Sequence, residues 1–124
     1  MSGSEIVPKV AVLEGFADAA SKDKGIGLGE AGAGMVLIVE TNNSTYTIEI
    51  LDPAKRTVRV VGGKFFSSPE VCILSGSTFG GSFLKMGWIG MGMRMEFHRS
   101  NNERIVTSPV TAVSVPGVPS NRVH

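Results

Sequence analysis

The sequence contains very few of the residues that build common catalytic and metal sites. Its 124 residues include one cysteine and two histidines. A single cysteine cannot form an internal disulfide, and no pair of cysteines or histidines has the spacing of a zinc site. We therefore predict no catalytic residue, no metal and no cofactor. Because Cys72 lies in an apolar, strand-like run, we predict a buried thiol rather than a reactive one.

Long apolar runs and a strong charge of one sign are also absent. No stretch reaches the roughly 20 apolar residues that a membrane-spanning helix needs. Glu5 lies where a secretion signal would carry positive charge, so we expect a cytoplasmic protein without membrane association. The formal net charge is only +1, which does not by itself favour nucleic acid as a partner.

Glycine and proline, in contrast, are frequent, with 16 and 6 residues respectively. They separate short apolar or alternating segments, which is typical of strands joined by tight turns. The predicted strands are Met35–Thr41, Ser44–Leu51, Thr57–Val61, Val71–Leu74, Ser82–Met86, Trp88–Phe97, Arg104–Ser108 and Val110–Val115. We predict an all-β domain, a small antiparallel β-barrel of the SH3-like or split-barrel type with about six to eight short strands.

The chain divides into three parts by composition. Residues 1–34 are predicted to form an N-terminal arm, with a short helix over 8–21 and a Gly-rich linker over 25–34; a strand is the alternative to that helix. Residues 35–115 form the barrel. Residues 116–124, with two prolines and a glycine, are predicted to be a disordered tail.

The segment from Trp88 to His98 has two different sides. Alternate residues from Ile89 to Phe97 are apolar and are predicted to form a wall of the core. The other side is a candidate binding or interface surface and carries Trp88, Gly90, Gly92, Arg94, Glu96 and His98. Its two glycines would leave a flat strip beside the tryptophan, since glycine in a strand often marks a close approach.

Three coverings of this strip remain open. They are an aromatic side chain from a neighbouring strand, a second copy of the chain, and the N-terminal helix through Val10, Leu13 and Phe16, which we prefer. The charged residues on the same side have two interpretations. They form either an anion anchor with an acid–base pair, or the solvated face of an amphipathic strand, which is the more ordinary arrangement.

A second candidate site lies at the turn after Asp52, where Lys55, Arg56 and Arg59 cluster in sequence and could bind phosphates. A positive turn is usually just a solvated turn, which is the more ordinary explanation. We therefore predict a non-enzymatic binding or assembly module that self-associates as a homo-oligomer. The alternative is a barrel that binds nucleic acid or another anion weakly, and a hydrolytic enzyme is the least favoured hypothesis.

Three stretches resemble a group of small uncharacterised bacterial all-β proteins. They are Thr41–Tyr46, Gly62–Phe65 and Thr107–Val110, in that order along the chain. The resemblance covers roughly residues 35–115. It implies a bacterial protein and transfers neither an activity nor a catalytic residue.

Overall fold

The computed structural model describes residues 25–116. The predicted helix over 8–21 and nearly all of the predicted tail lie outside the described residues. Those that are described form nine strands and one short helix: β1 (Gly25–Gly27), α1 (Leu28–Ala31), β2 (Val36–Thr41), β3 (Thr45–Asp52), β4 (Thr57–Gly62), β5 (Phe66–Gly80), β6 (Phe83–Met86), β7 (Trp88–Gly90), β8 (Arg94–His98) and β9 (Arg104–Ser114). No helix in this range is long and apolar enough to cross a membrane.

Seven strands form one antiparallel sheet in the order β4-β3-β2-β9-β8-β5-β6, and β4 also pairs with β5. This additional pairing closes six of the strands into a ring and leaves β6 outside it. The small strands β1 and β7 pair only with each other. The predicted all-β fold with an antiparallel, barrel-like sheet is therefore confirmed.

The ring differs from a regular barrel because β5 changes partner along its 15 residues. Its first half pairs with β4, up to Ile73 opposite Thr57. From Ile73 onward it pairs with β8 instead, and Gly76 lies opposite residues of both β6 and β8. One long strand thus completes the ring and also extends beyond it as half of the β5–β6 hairpin.

The core lies inside the ring and follows the predicted alternation. Tyr46, Ile48 and Ile50 of β3 are all buried. The Phe66 and Phe97 rings meet edge to face with centroids 5.3 Å apart, a favoured aromatic geometry. Tyr46 packs against both rings at 6.4 Å.

The single strand predicted over Trp88–Phe97 is wrong, because the chain turns at Gly92. This glycine has a φ of +78°, and the Met93 N–H donates to the Gly90 carbonyl at 3.1 Å. The strands predicted over 82–86 and 88–97 therefore do not form a hairpin with each other. Instead β6 returns along β5, while β7 pairs with β1.

Two prolines lie inside strands rather than between them. Pro69 lies between the predicted strands Thr57–Val61 and Val71–Leu74, yet it falls within β5 where the register against β4 shifts. Pro109 likewise lies within β9, opposite Arg94, beside another register shift. Irregular pairing of this kind accommodates a residue without an N–H group, so one strand, β9, replaces the two that were predicted.

The glycine-rich segment 25–34, predicted as a linker, contains β1 and α1. Ile26 and Leu28 are 3% and 1% exposed and belong to the core. The Leu28 N–H donates to the Gly87 carbonyl at 2.8 Å. Composition alone does not reveal that β1 pairs with β7. The hydrogen bonds of this pairing offset the entropic cost of ordering glycine.

Candidate functional site

The β5–β6 hairpin exposes three large apolar side chains. Phe79, Phe83 and Met86 are 71%, 58% and 63% exposed. Of the large apolar residues described, only Val71 is comparably exposed, and it lies elsewhere on β5. Three such side chains in one hairpin make it a candidate interaction site. We call these three residues the hairpin patch.

Hydrogen bonds at the base of the hairpin fix its position. The Ser77 hydroxyl donates to the Trp88 carbonyl at 2.6 Å, which ties β5 to β7. The Thr78 hydroxyl accepts from the Gly80 N–H at 2.8 Å where the turn begins. Both side chains are buried. The hairpin patch is therefore presented by ordered strands.

The outer edge of β6 is open within the described part of the chain, because β6 pairs there only with β5. Proteins commonly protect such an edge with an outward-pointing lysine. Here the only charged residue of β6, Lys85, has its Nζ 3.7 Å from the centroid of the Trp88 ring. This cation–π contact directs the charge back onto the protein, so the edge keeps its apolar residues.

The Trp88 ring is covered by β1. An added Cβ at Gly25 would lie 2.6 Å from two carbons of the ring and from the Ile89 carbonyl. No residue larger than glycine therefore fits at this position. β1 was not among the expected coverings, and the preferred one, the helix with Val10, Leu13 and Phe16, lies outside the described residues.

Gly90 and Gly92 occupy different environments and do not form one flat strip. Gly90 is buried, and an added Cβ would meet the Met93 sulfur and the Trp88 ring. Gly92 is exposed with no atom within 4 Å of that position. The turn at Gly92 separates them.

The three charged residues of β8 divide into two groups. The Glu96 carboxylate contacts His98 Nε2 through Oε2 and Arg104 Nη2 through Oε1, each at 3.0 Å. Arg94 instead extends toward β9, where its Nη1 is 3.5 Å from the Thr107 carbonyl. The expected row along one strand thus becomes an ion-paired cluster and a separate cation.

The basic residues near the β3–β4 turn are not brought together around one site. Arg59 pairs with Glu49 on the neighbouring strand. The Arg56 side chain lies against Gly87, and its buried Nε has no hydrogen-bond partner among the described atoms. Lys55 is exposed in the turn, where its N–H donates to Asp52 Oδ1 at 3.3 Å.

Within residues 25–116, no group of three or more His, Cys, Asp or Glu side chains is placed to hold a metal ion. Burial raises the pKa of the Cys72 thiol to about 12, with a smaller contribution of the same sign from Glu70. The predicted burial of Cys72 is confirmed.

Strand parity in Trp88–Phe97 does not predict the hairpin patch, because none of its three residues lies in that segment. A signal was present: Phe79 and Phe83 flank Gly80-Gly81-Ser82, so that two aromatic residues adjoin a tight turn. Residues next to a turn are rarely enclosed on both sides.

Comparison of the chain with protein-family models, with curated proteins and with solved structures finds no match.

Proposed function

We propose that this protein is a binding or assembly module without enzymatic activity, and that it self-associates by pairing the open edge of β6 with β6 of a second copy. The observation that carries the proposal is the hairpin patch beside that edge. An open strand edge offers a row of unpaired backbone groups to another strand. Adjoining apolar side chains would gain about 25 cal/mol for each Å² removed from water.

The residues of β6 are suited to pairing with themselves. An antiparallel pair of identical strands is two-fold symmetric, so each residue contacts its counterpart reciprocally. Unless the axis passes through Lys85 itself, this lysine lies opposite Phe83, Leu84 or Met86 of the other copy. Like charges then do not face each other, and the Lys85 ammonium can stay on the Trp88 ring of its own copy.

The alternative of a nucleic-acid binder has less support. Lys55, Arg56 and Arg59 do not converge, and Arg59 is neutralised by Glu49. Nucleic-acid barrels combine a basic groove with exposed aromatics, whereas the exposed aromatics here lie on a hairpin whose lysine is stacked on Trp88. The bacterial and cytoplasmic setting stays a proposal based on the sequence.

Sedimentation velocity of the full chain tests the proposal. We expect the mass to rise with concentration from 13.0 kDa toward twice that value. Phe83→Ser should weaken the dimer by at least about 10-fold, because exposed aromatics dominate small interfaces. Val71→Ser is the matched control, since it removes an exposed apolar residue away from the patch.

Two results would count against the proposal. One is a monomer at every concentration. The other is equal weakening by Phe83→Ser and Val71→Ser, which would place the contact away from β6.

A further inference from the structure

A second feature of the molecule is a cleft of about 500 Å³, formed where three parts of the ring meet. The β2–β3 turn, the β4–β5 turn and the facing parts of β8 and β9 each contribute to its wall. The lining residues are Asn43, Ser44, Tyr46, Lys64, Phe65, Arg94, Val106, Thr107 and Ser108. All three stretches that carry the resemblance described above supply part of this lining.

The charges in the cleft are of one sign. Lys64 and Arg94 line it, and no acidic residue of the described range 25–116 does. Neither cation has a carboxylate partner within residues 25–116, whereas Arg59, Arg99 and Arg104 are all ion-paired there. Two uncompensated cations in one concavity create a positive potential that attracts an anion.

The walls of the cleft are held together by the protein's own contacts. The Asn43 N–H donates to Ser108 Oγ at 3.1 Å, and the Asn42 N–H donates to the Pro109 carbonyl at 3.1 Å. Since Ser108 Oγ accepts from Asn43, its hydroxyl proton can be donated to a ligand. Gly63 has a φ of +62° and lies directly against the Tyr46 ring, which fixes the turn bearing Lys64.

The geometry points to a small organic anion as the occupant, held through its phosphate or carboxylate group by Lys64 and Arg94. Arginine and lysine are the usual partners of both groups. The volume falls in the range of small-molecule pockets, roughly 300–1,000 Å³, and is larger than an inorganic ion requires. Phe65 and Val106 supply apolar wall for the body of the ligand.

An NMR titration of the full-length, ¹⁵N-labelled chain tests this assignment with four probes: phenyl phosphate, benzoate, phenol and inorganic phosphate. We expect one or both organic anions to shift the amides of the three cleft segments, and phenol to leave them unchanged. Comparison of the affinities for phenyl phosphate and benzoate shows whether the cleft prefers a phosphate or a carboxylate group. Added NaCl should weaken the binding, because salt screens exposed charges.

Charge-neutralising variants identify the residues involved. Lys64→Gln and Arg94→Gln should each weaken binding about 10-fold, the effect of losing one charge-assisted hydrogen bond. Both side chains are exposed, so the variants should fold. The double variant Lys55→Gln/Arg59→Gln removes two charges away from the cleft, as many as Lys64→Gln and Arg94→Gln remove together, and should retain the affinity.

Several outcomes would overturn the assignment. They are the absence of shifts at the cleft, equal weakening by the control double variant, and affinity for inorganic phosphate equal to that for the organic anions. The hairpin patch contributes no residue to this cleft. Sedimentation of Arg94→Gln should therefore match the unmodified chain, and the two proposals fail independently.

Discussion

At Glu96, burial and ion pairing act on the pKa of the carboxyl group in opposite directions. Its side chain is 12% exposed and carries contacts from His98 and Arg104. Burial acts to raise the pKa of Glu96, but the hydrogen bonds from these two residues and their charges outweigh it, and the pKa is lowered. Glu96 is therefore ionised at neutral pH and links β8 to β9 as a structural carboxylate.

We predict that Glu96→Gln lowers stability at pH 7 by about 1 kcal/mol, the net contribution of a few charge-assisted contacts at a partly exposed site. Because the pKa of Glu96 is lower in the folded state, its ionised carboxylate stabilises the protein at pH values above its ordinary pKa of 4.5. This stabilisation is lost as the pH falls through the lower, folded value.

Urea unfolding of both proteins at pH 7 and pH 3 measures this difference. The two stabilities should converge at the acidic end. A difference that is as large at pH 3 as at pH 7 would show that Glu96 acts through packing rather than through its charge.

At the scale of elements, β1 is the least expected part of the fold. It has three residues, two of them glycines, yet it pairs with β7 along its whole length. Its glycines allow the backbone to lie on the Trp88 ring, and Ile26 between them is buried. The small two-stranded sheet thus joins the N-terminal segment to the residues at the base of the β5–β6 hairpin.

We predict that Gly25→Ala displaces β1, because its Cβ would lie 2.6 Å from the Trp88 ring and the Ile89 carbonyl. Overpacking of this kind costs about 1–3 kcal/mol. Trp88 is the only tryptophan, so its fluorescence should shift toward that of a solvated indole, with a parallel loss of thermal stability.

Gly29→Ala is the matched control. Gly29 lies in α1 with no atom within 4 Å of an added Cβ, and alanine favours a helix by up to about 1 kcal/mol over glycine. This variant should keep the native fluorescence and be at least as stable. Equal spectra for the two variants would contradict the assigned contact between β1 and Trp88.

At the scale of the whole molecule, the sequence predicts strands well where apolar alternation is regular. Met35–Thr41, Ser44–Leu51 and Thr57–Val61 match β2, β3 and β4 to within one or two residues. Each strand contributes alternate buried side chains to a single core. Their periodicity is therefore a direct consequence of the fold and can be read without knowing the partners.

The remaining features depend on contacts between residues far apart in sequence. The pairing of β1 with β7 and the closing pair β4–β5 leave no local pattern. Pro69 and Pro109 resemble strand ends because the local rule for proline assumes a regular ladder. The convergence of Lys64 and Arg94 on one cleft likewise follows from topology, since 30 positions separate them.

The pairing of two β6 strands can be measured most directly as a distance between copies. Ser82 is exposed in the hairpin turn, and Ser82→Cys introduces a thiol that a nitroxide reagent can label. Cys72 is buried, and its pKa of about 12 keeps it from competing for the label. Pulsed dipolar spectroscopy then reports the separation of the two hairpins.

We expect one short, well-defined distance between the labels of two copies. This distance should disappear when labelled protein is diluted with an excess of unlabelled chain. Phe83→Ser in the same background should remove it. Dimers that sediment as such but show no short distance would contradict pairing through β6.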